Sequence, residues 1–513
     1  MFEVHQPYRL ASNISQQIAE KIALNGSLDP QELEEVYFNN ALNREVFERV
    51  AKRCYLPANS IILQQIDMFK DHGKKFKVSY SLSGVLLEQA ERWMPNLIDS
   101  FKQLADTGMV EFLDQTYFHS LSFLISEEEF IDQIRLHRDT VKSLFGVTPK
   151  AIENTEFIYN NYIASVFERL GYKIVLTEGV ERILLWRSPN YLYKARGLNI
   201  RVLMRNYRLS DDIGFRFASR WWSEYPLTAE KYSAWLAATP GDVVLVAIDY
   251  ETFGEHFQAD TGIFEFLRWL PGEILKWDHL VTSTPTEVAE TLPPRDEIDV
   301  PESDTISWAD LERDLSAWVG NFMQDYAFER LRNLWLEIKA TRDDNLLRLW
   351  RLLSISDHFY YMSTKGGGPG DVHTYFSPYK SPFQAYMFYS DALADLEHRV
   401  SSRLEADEEA RYRFVWMRRV RAGSEFLFYL DFGKPAGLVA WNIFSFIEAL
   451  EKAPNESIIF HQQRGDFSRW LRFSVGEDFV ARKIDEIGGD GAPELREKLL
   501  GILYERRRGL FGF

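Results

Sequence analysis

Five short apolar runs, each stopping at a polar residue, limit what this chain can fold into. The first, 2–4, stops at His5 and Gln6. The run 76–80 (Phe-Lys-Val-Ser-Tyr) stops at Ser81, and 110–113 stops at Asp114, Gln115 and Thr116. The run 174–176 stops at Thr177 and Glu178, and 243–248 (Val-Val-Leu-Val-Ala-Ile) stops at Asp249. Helical patterns separate them. Such runs read as buried parallel strands joined by helical crossovers. That leaves a doubly wound sheet or a barrel, and both carry their sites at the carboxyl ends of strands.

At 513 residues the chain exceeds the size at which one core stops growing, so two or more cores are expected. Its 59 basic and 76 acidic residues give a formal charge of −17, which disfavours nucleic acid and anionic lipid as partners. Its 14 Trp, 24 Tyr and 37 Phe make 15% of the chain aromatic, suited to stacking on sugars or to a large Phe-rich core. Cys54 is the single cysteine, which excludes an intrachain disulfide and four-thiolate metal sites. Neither a signal peptide nor a membrane-spanning run is apparent, so the expected compartment is the cytoplasm. Oligomeric state is left open.

Further along, 283–307 holds four prolines and seven acidic residues and reads as a loop or lid-like excursion. Residues 308–355 repeat apolar positions at helical spacing and predict a helical subdomain. The stretch 366–370 (Gly-Gly-Gly-Pro-Gly) reads as a flexible connector, not a phosphate loop. A charged stretch around 405–413 sets off a small C-terminal domain.

Four clusters of residues carry chemistry. In Asp249-Tyr250-Glu251-Thr252-Phe253-Gly254, residues i and i+2 of a strand share a face, so Asp249 and Glu251 would lie side by side. Adjacent carboxyls raise one another's pKa, and a carboxyl so raised is a general acid near neutrality. Glu153-Asn154-Thr155-Glu156 offers a partner carboxylate, and reads equally as a helix start with Asn154 or Thr155 as its cap. His5-Gln6-Pro7 and His119 suit hydrogen bonding to a polar substrate. No His-Glu-x-x-His pair supports a metal. Ser356-Asp357-His358-Phe359-Tyr360 joins an acid and an imidazole to aromatic rings, or else simply ends a helix.

Taken together and in this order, the motifs resemble glycoside hydrolase family 57, over about residues 1–400. The carriers are His5–Pro7, 114–120, 154–159, 249–254 and 356–362, and the phrasing is nearest to the α-amylase branch. The resemblance implies an α/β fold, an incomplete (β/α)7 barrel with a helical bundle subdomain and a small appended C-terminal domain. The expected divisions are a barrel over 1–290, a helical subdomain over 291–405 closing the site, and a C-terminal domain over 412–513. It further implies a retaining α-glucan hydrolase cleaving α-1,4 bonds. Glu156 matches the nucleophile and Asp249 the general acid/base, the two carboxyls being about 5–5.5 Å apart in such enzymes. His5, Gln6, Gln115, His119, Glu251 and Asp357 are expected to bind substrate hydroxyls, and Trp308 and Tyr360 to stack on glucose. No cofactor or metal is implied, and the partner is an α-glucan or maltooligosaccharide. A 4-α-glucanotransferase on the same site, or a catalytically quiet glycan-binding protein, are the alternatives. Gln115 departs from the Glu usual in the family, and the C-terminal part resembles a small uncharacterised domain attached to sugar-active proteins.

Overall fold

The structure, a computed structural model, describes residues 1–366, 377–487 and 492–513 in two compact units. One comprises 1–329 with 351–392, the other 330–350 with 393–513. The expected connector at 366–370 lies outside the described residues except for Gly366.

Among the described residues nine strands belong to the first unit: β1 (Phe2–Val4), β2 (Val78–Leu82), β3 (Val110–Leu113), β4 (Ala151–Glu153), β5 (Ile174–Glu178), β6 (Leu192–Ala195), β7 (Arg201–Arg205), β8 (Ile248–Asp249) and β9 (Glu297–Ile298). One sheet runs β3-β2-β1-β8, all parallel. The other runs β4-β5-β7-β6-β9, with β6 antiparallel to β7. Two isolated parallel bridges join them: Asp114 to Ile152, and Arg205 to Leu245. Seven parallel strands (β1, β2, β3, β4, β5, β7 and β8) therefore close a ring through two seams, each a single residue pair wide. This is an incomplete (β/α)7 barrel.

The seams explain why 243–248 is not a strand throughout. Within this stretch Leu245 bridges β7, and only Ile248 and the following Asp249 pair with β1.

Each barrel strand sorts its side chains by alternation. Phe2, Val4, Tyr80, Phe112 and Ile248 pack in the layer beneath the helices. Leu113, Ala151, Ile174, Leu176, Leu203 and Ala247 form a second buried cluster on the opposite faces, inside the ring. Two residues beyond Ala151, Leu176, Leu203 and Ala247, on that same inward set, stand Glu153, Glu178, Arg205 and Asp249. Glu3 and Ser81 hold the matching positions on β1 and β2, as the register Glu3↔Ser81 and Glu3↔Asp249 requires. A polar layer thus caps an apolar barrel interior at the carboxyl ends.

Two expectations need correction. The excursion 283–307 is ordered: Thr284 and Glu287 form a capping box that starts the helix Pro285–Thr291, and β9 then pairs with β6. The proline at the helix start and the Thr-x-x-Glu spacing are helix signals that the acidic, proline-rich composition masks. The helical region starts later than 308. Asn321 accepts the backbone N–H groups of Met323 and Gln324 and so caps the helix Phe322–Thr341, with Asp344–Leu353 following. Between 308 and 321 the chain makes a short turn, Leu315–Ala317, and Asp310 and Arg313 adopt positive φ.

In the second unit, β10 (Phe426–Asp431) and β11 (Lys434–Ala440) form an antiparallel hairpin against helices that include Ile443–Lys452 and Asn455–Gln463. Trp416, Phe426, Phe446 and Phe467 are in its core. Asp466 accepts from His461 (2.9 Å) and Arg464 (3.0 Å), which ties the 464–466 turn to the fold. Among the described residues no helix is long and apolar enough to cross a membrane.

Candidate active site

The polar layer opens into a cleft of about 1350 Å³, counting its mouth, lined by residues that include His5, Gln6, His119, Glu156, Asp249, Glu251, Trp308, Asp357 and Tyr360. All come from the first unit.

Glu156 follows β4 on a tight turn, not in a helix, and its backbone is left-handed (φ 59°), as is that of Phe157 (φ 56°). For residues with a Cβ this conformation costs on the order of 1–3 kcal/mol each. It is held by hydrogen bonds from Trp308 N to the Glu156 carbonyl (3.2 Å) and from Thr177 Oγ1 to the Phe157 carbonyl (2.9 Å). The turn lifts the Glu156 carboxylate off the barrel floor. His119, itself at φ 50°, and Asp310 and Arg313 are likewise left-handed, so strained backbone gathers around this cleft.

Both carboxyl oxygens of Glu156 are engaged. Oε2 accepts the Trp308 indole N–H at 2.6 Å, and Oε1 lies 3.1 Å from His119 Nε2. The other nitrogen of His119 faces the Gln115 Oε1 at 2.9 Å. The Gln115 amide group donates to Ser81 (2.7 Å) and Glu3 (3.3 Å), so its oxygen is the acceptor for His119 Nδ1–H. Acceptors thus face both nitrogens of His119. Burial opposes a charged ring, but the Glu156 carboxylate together with Asp357 and Glu153 outweighs it, and the His119 pKa is raised.

His5 stacks on His119 with centroids 3.9 Å apart. Its Nδ1 meets Ser83 Oγ at 2.7 Å and its Nε2 meets Asp357 Oδ2 at 2.8 Å. Burial and then the charge of His119 lower the His5 pKa. Asp357 is also buried, yet the imidazoles around it, His5 first, pull its pKa down to about 2.

Asp249 ends β8, and among the described residues no indole or imidazole donates to it. Burial, then the negative charge of Glu156, push its pKa up to about 7, with Arg205 acting the other way. Glu251 reaches about 8 through burial and the neighbouring Asp249, and accepts hydrogen bonds from Tyr55 and from Gln6 (3.5 Å). The motif ends at Gly254, φ 119°, where a Cβ would sit 2.2 Å from the Arg53 carbonyl oxygen, so only glycine fits. Two carboxyls with opposed environments thus share one cleft. Glu156 is surrounded by donors, whereas Asp249 retains its proton near neutrality.

The sequence model of glycosyl hydrolase family 57 matches residues 1–301, more than half of the chain. The chain belongs to glycosyl hydrolase family 57. A relative from Methanocaldococcus jannaschii described as "Putative alpha-amylase" is 48% identical over 416 residues, which covers 79% of this chain and 85% of the relative. Among solved structures, a family 57 branching enzyme from Thermococcus kodakaraensis superimposes with a TM-score of 0.55 at 15% identity, covering 80% of this chain and 92% of that one. A 4-alpha-glucanotransferase from Thermococcus litoralis gives 0.50 at 16% identity, covering 70% of this chain and 55% of that one. This chain therefore spans little more than half of that enzyme. At these identities the two structures speak for the fold alone.

In this family 57 cleft two expected contacts with sugar fall differently. Gln115 is fully buried behind His119, and its amide is committed to Ser81, Glu3 and His119, so it does not line the cleft. Trp308 does line it, but its ring stacks on Phe157 (centroids 4.7 Å, 16°) with the Arg205 guanidinium 5.5 Å over the ring. Its polar edge is turned to Glu156. Tyr360 lines the cleft with its hydroxyl toward Asp310 (3.4 Å).

Sequence reasoning passed over Glu3 and Arg205, and named Glu153 only within the cluster that holds Glu156. Glu3 and Arg205 line the cleft. Glu3 is buried, and that burial together with the charge of Glu153 raises its pKa well above the usual range. Arg205 pairs with Glu178 (2.8 Å) and Asp211 (2.7 Å) and donates to the Ala247 carbonyl (2.7 Å), two residues before Asp249. Among the described residues no group of three or more His, Cys, Asp or Glu is placed to hold a metal ion.

Proposed function

We propose that this chain is a retaining α-glucan hydrolase of the α-amylase type, cleaving α-1,4-glucosidic bonds with Glu156 as nucleophile and Asp249 as acid/base. The observation that carries the reading is the opposed setting of the two carboxyls in one cleft: Glu156 held by two donors, Asp249 raised to about 7. Glu156 attacks the anomeric carbon and forms a carbon–oxygen bond as the glycosidic bond breaks. Asp249 passes its proton to the departing oxygen. The Asp249 carboxylate then takes a proton from water, whose oxygen displaces Glu156 and restores both groups.

The remaining residues serve this step. Trp308 and His119 fix the two Glu156 oxygens in place. The His5–Asp357 pair, Gln6 and Glu251 present polar atoms to sugar hydroxyls at the cleft wall, and Tyr360 presents its ring. We assign the barrel carrying both carboxyls to 1–290, the wall carrying Trp308, Asp357 and Tyr360 to 291–405, and an appended domain to 412–513. The substrate is an α-glucan or maltooligosaccharide. The buried free thiol of Cys54 suits a reducing cytoplasm.

Maltoheptaose digestion with products resolved by length tests the reading. The expected result is shorter products only, abolished in Glu156→Gln and Asp249→Asn. Products longer than the substrate would mean that a sugar hydroxyl replaces water, making the protein a 4-α-glucanotransferase. An inert wild type would refute hydrolysis.

A further inference from the structure

Phe215 lines the catalytic cleft, and two residues later Phe217 lines a second cavity. Another stretch makes the same crossing: Thr252 and His256 line the cleft, Thr261 and Gly262 the second cavity. Two residues of chain span at most about 7 Å, so the two depressions share a wall.

The second cavity is built of rings and carboxylates. Phe217 and Phe266, both buried, meet edge-on at 5.3 Å to form its floor. Tyr225 and Trp269 rise beside them, 40% and 62% exposed. A large indole left this open to water has no packing role to explain it. On the helix Ile263–Leu275, Glu265, Trp269 and Glu273 follow at i, i+4 and i+8, which places a carboxylate one turn to either side of the indole on one face. Glu230 adds a third acid from the opposite rim.

We propose that this cavity is a second α-glucan-binding site, where a remote part of a polymeric substrate stacks glucose rings on Trp269 and Tyr225 and donates its hydroxyls to Glu230, Glu265 and Glu273. The proposal rests on the α-glucan reading of the catalytic cleft. Flat sugar faces match exposed rings, and hydroxyl donors match charged acceptors. Glu265 pairs with Arg268 and Glu273 with Lys276, and the net charge of −17 on the whole chain disfavours nucleic acid, anionic lipid and a second copy of the chain, whereas a neutral polyol is unaffected by that charge. Continuity with the catalytic cleft lets one chain engage both, so the site raises the local concentration of scissile bonds.

The test uses the full chain. Glu156→Gln protein is run through gels with and without amylopectin, alone and with Trp269→Ala, Trp269→Phe or Tyr225→Ala added. Amylopectin is expected to retard the parent, with roughly three- to tenfold weaker binding in the alanine variants and recovery in Trp269→Phe. In the otherwise wild-type enzyme, Trp269→Ala is expected to raise KM for amylopectin by a similar factor while leaving maltotetraose hydrolysis unchanged. Equal retardation of all variants, or equal loss on both substrates, would overturn the proposal. Cleavage of maltoheptaose without any retardation by amylopectin would sink the second site and leave the active-site reading intact. A protein that neither cleaves nor binds α-glucan would overturn both.

Discussion

Glu3 and Asp249 are register partners on neighbouring parallel strands, with both side chains facing the same cleft. Two acids placed this way cannot both ionise cheaply, and burial favours their neutral forms. Glu153 stands close enough to add its charge to both. The proton that Asp249 needs at neutrality is therefore a property of the polar layer as a whole.

Because Asp249 donates its proton in the bond-breaking step, kcat/KM is expected to fall as pH rises past about 7. Glu153→Gln removes a charge that raises the Asp249 pKa, so the alkaline limb should move to lower pH. Glu3 is not among the groups that raise the Asp249 pKa, so Glu3→Gln should move the limb less than Glu153→Gln. Initial rates across pH 5–9 on a fixed maltooligosaccharide check all three.

Trp308→Phe keeps a ring on Phe157 but removes the N–H that Glu156 Oε2 accepts. A hydrogen bond to a charged group contributes about 1.5–3 kcal/mol. The expected outcome is a kcat lower by roughly 10- to 100-fold with KM nearly unchanged. If the indole were instead a glucose platform, KM would rise and kcat would hold.

Asp249 and Glu251 titrate at about 7 and about 8 in the fold, against about 4 in an unfolded chain. The folded state holds these protons more tightly, so the stability present below pH 4 declines as pH rises through 4 to 8. Tm should fall across that window, and less steeply in Asp249→Asn and in Glu251→Gln. Asp357, held near 2, works in reverse: its contribution is present above pH 4 and is lost as pH falls toward 2. Calorimetric scans from pH 3 to 8 on wild type and the two variants test both limbs.

Gln115→Glu would replace the buried amide by a carboxyl of the same size. Here the amide donates to Ser81 and Glu3, and a carboxylate cannot. The substitution should cost about 1–3 kcal/mol, as expected for a buried group left without its partner, and the cost should grow with pH as a further acid is forced to ionise beside Glu3. Urea unfolding at pH 6 and pH 8 measures it.

Much of this site was legible where apolar runs stop. His5, Gln6 and Asp249 follow strands directly, and alternation along those strands predicts the inward face. The same alternation points to Glu3, Glu153 and Arg205, but Glu3 sits inside a run that reads as apolar, and the strands that end in Glu153 and Arg205 are too short to stand out as runs. A period of two carried through Ala151 and Glu153, or Leu203 and Arg205, would have found them. Three features were not readable locally. The left-handed turn at Glu156 and Phe157 is held by Thr177 and Trp308, both distant in sequence. The orientation of the Trp308 indole follows from that turn, and the burial of Gln115 follows from where His119 folds over it. Motif order marks such residues as neighbours, but only the packed chain decides which of them touch the sugar.

Azide rescue on an α-maltosyl aryl substrate tests the assignment of the two carboxyls most directly. With Glu156→Ala, azide occupies the space of the missing nucleophile, and the predicted product is the inverted β-glycosyl azide. With Asp249→Ala, Glu156 still forms the covalent intermediate and azide resolves it, giving the retained α-glycosyl azide. The same anomer from both variants, or the two anomers exchanged, would contradict the roles given to Glu156 and Asp249.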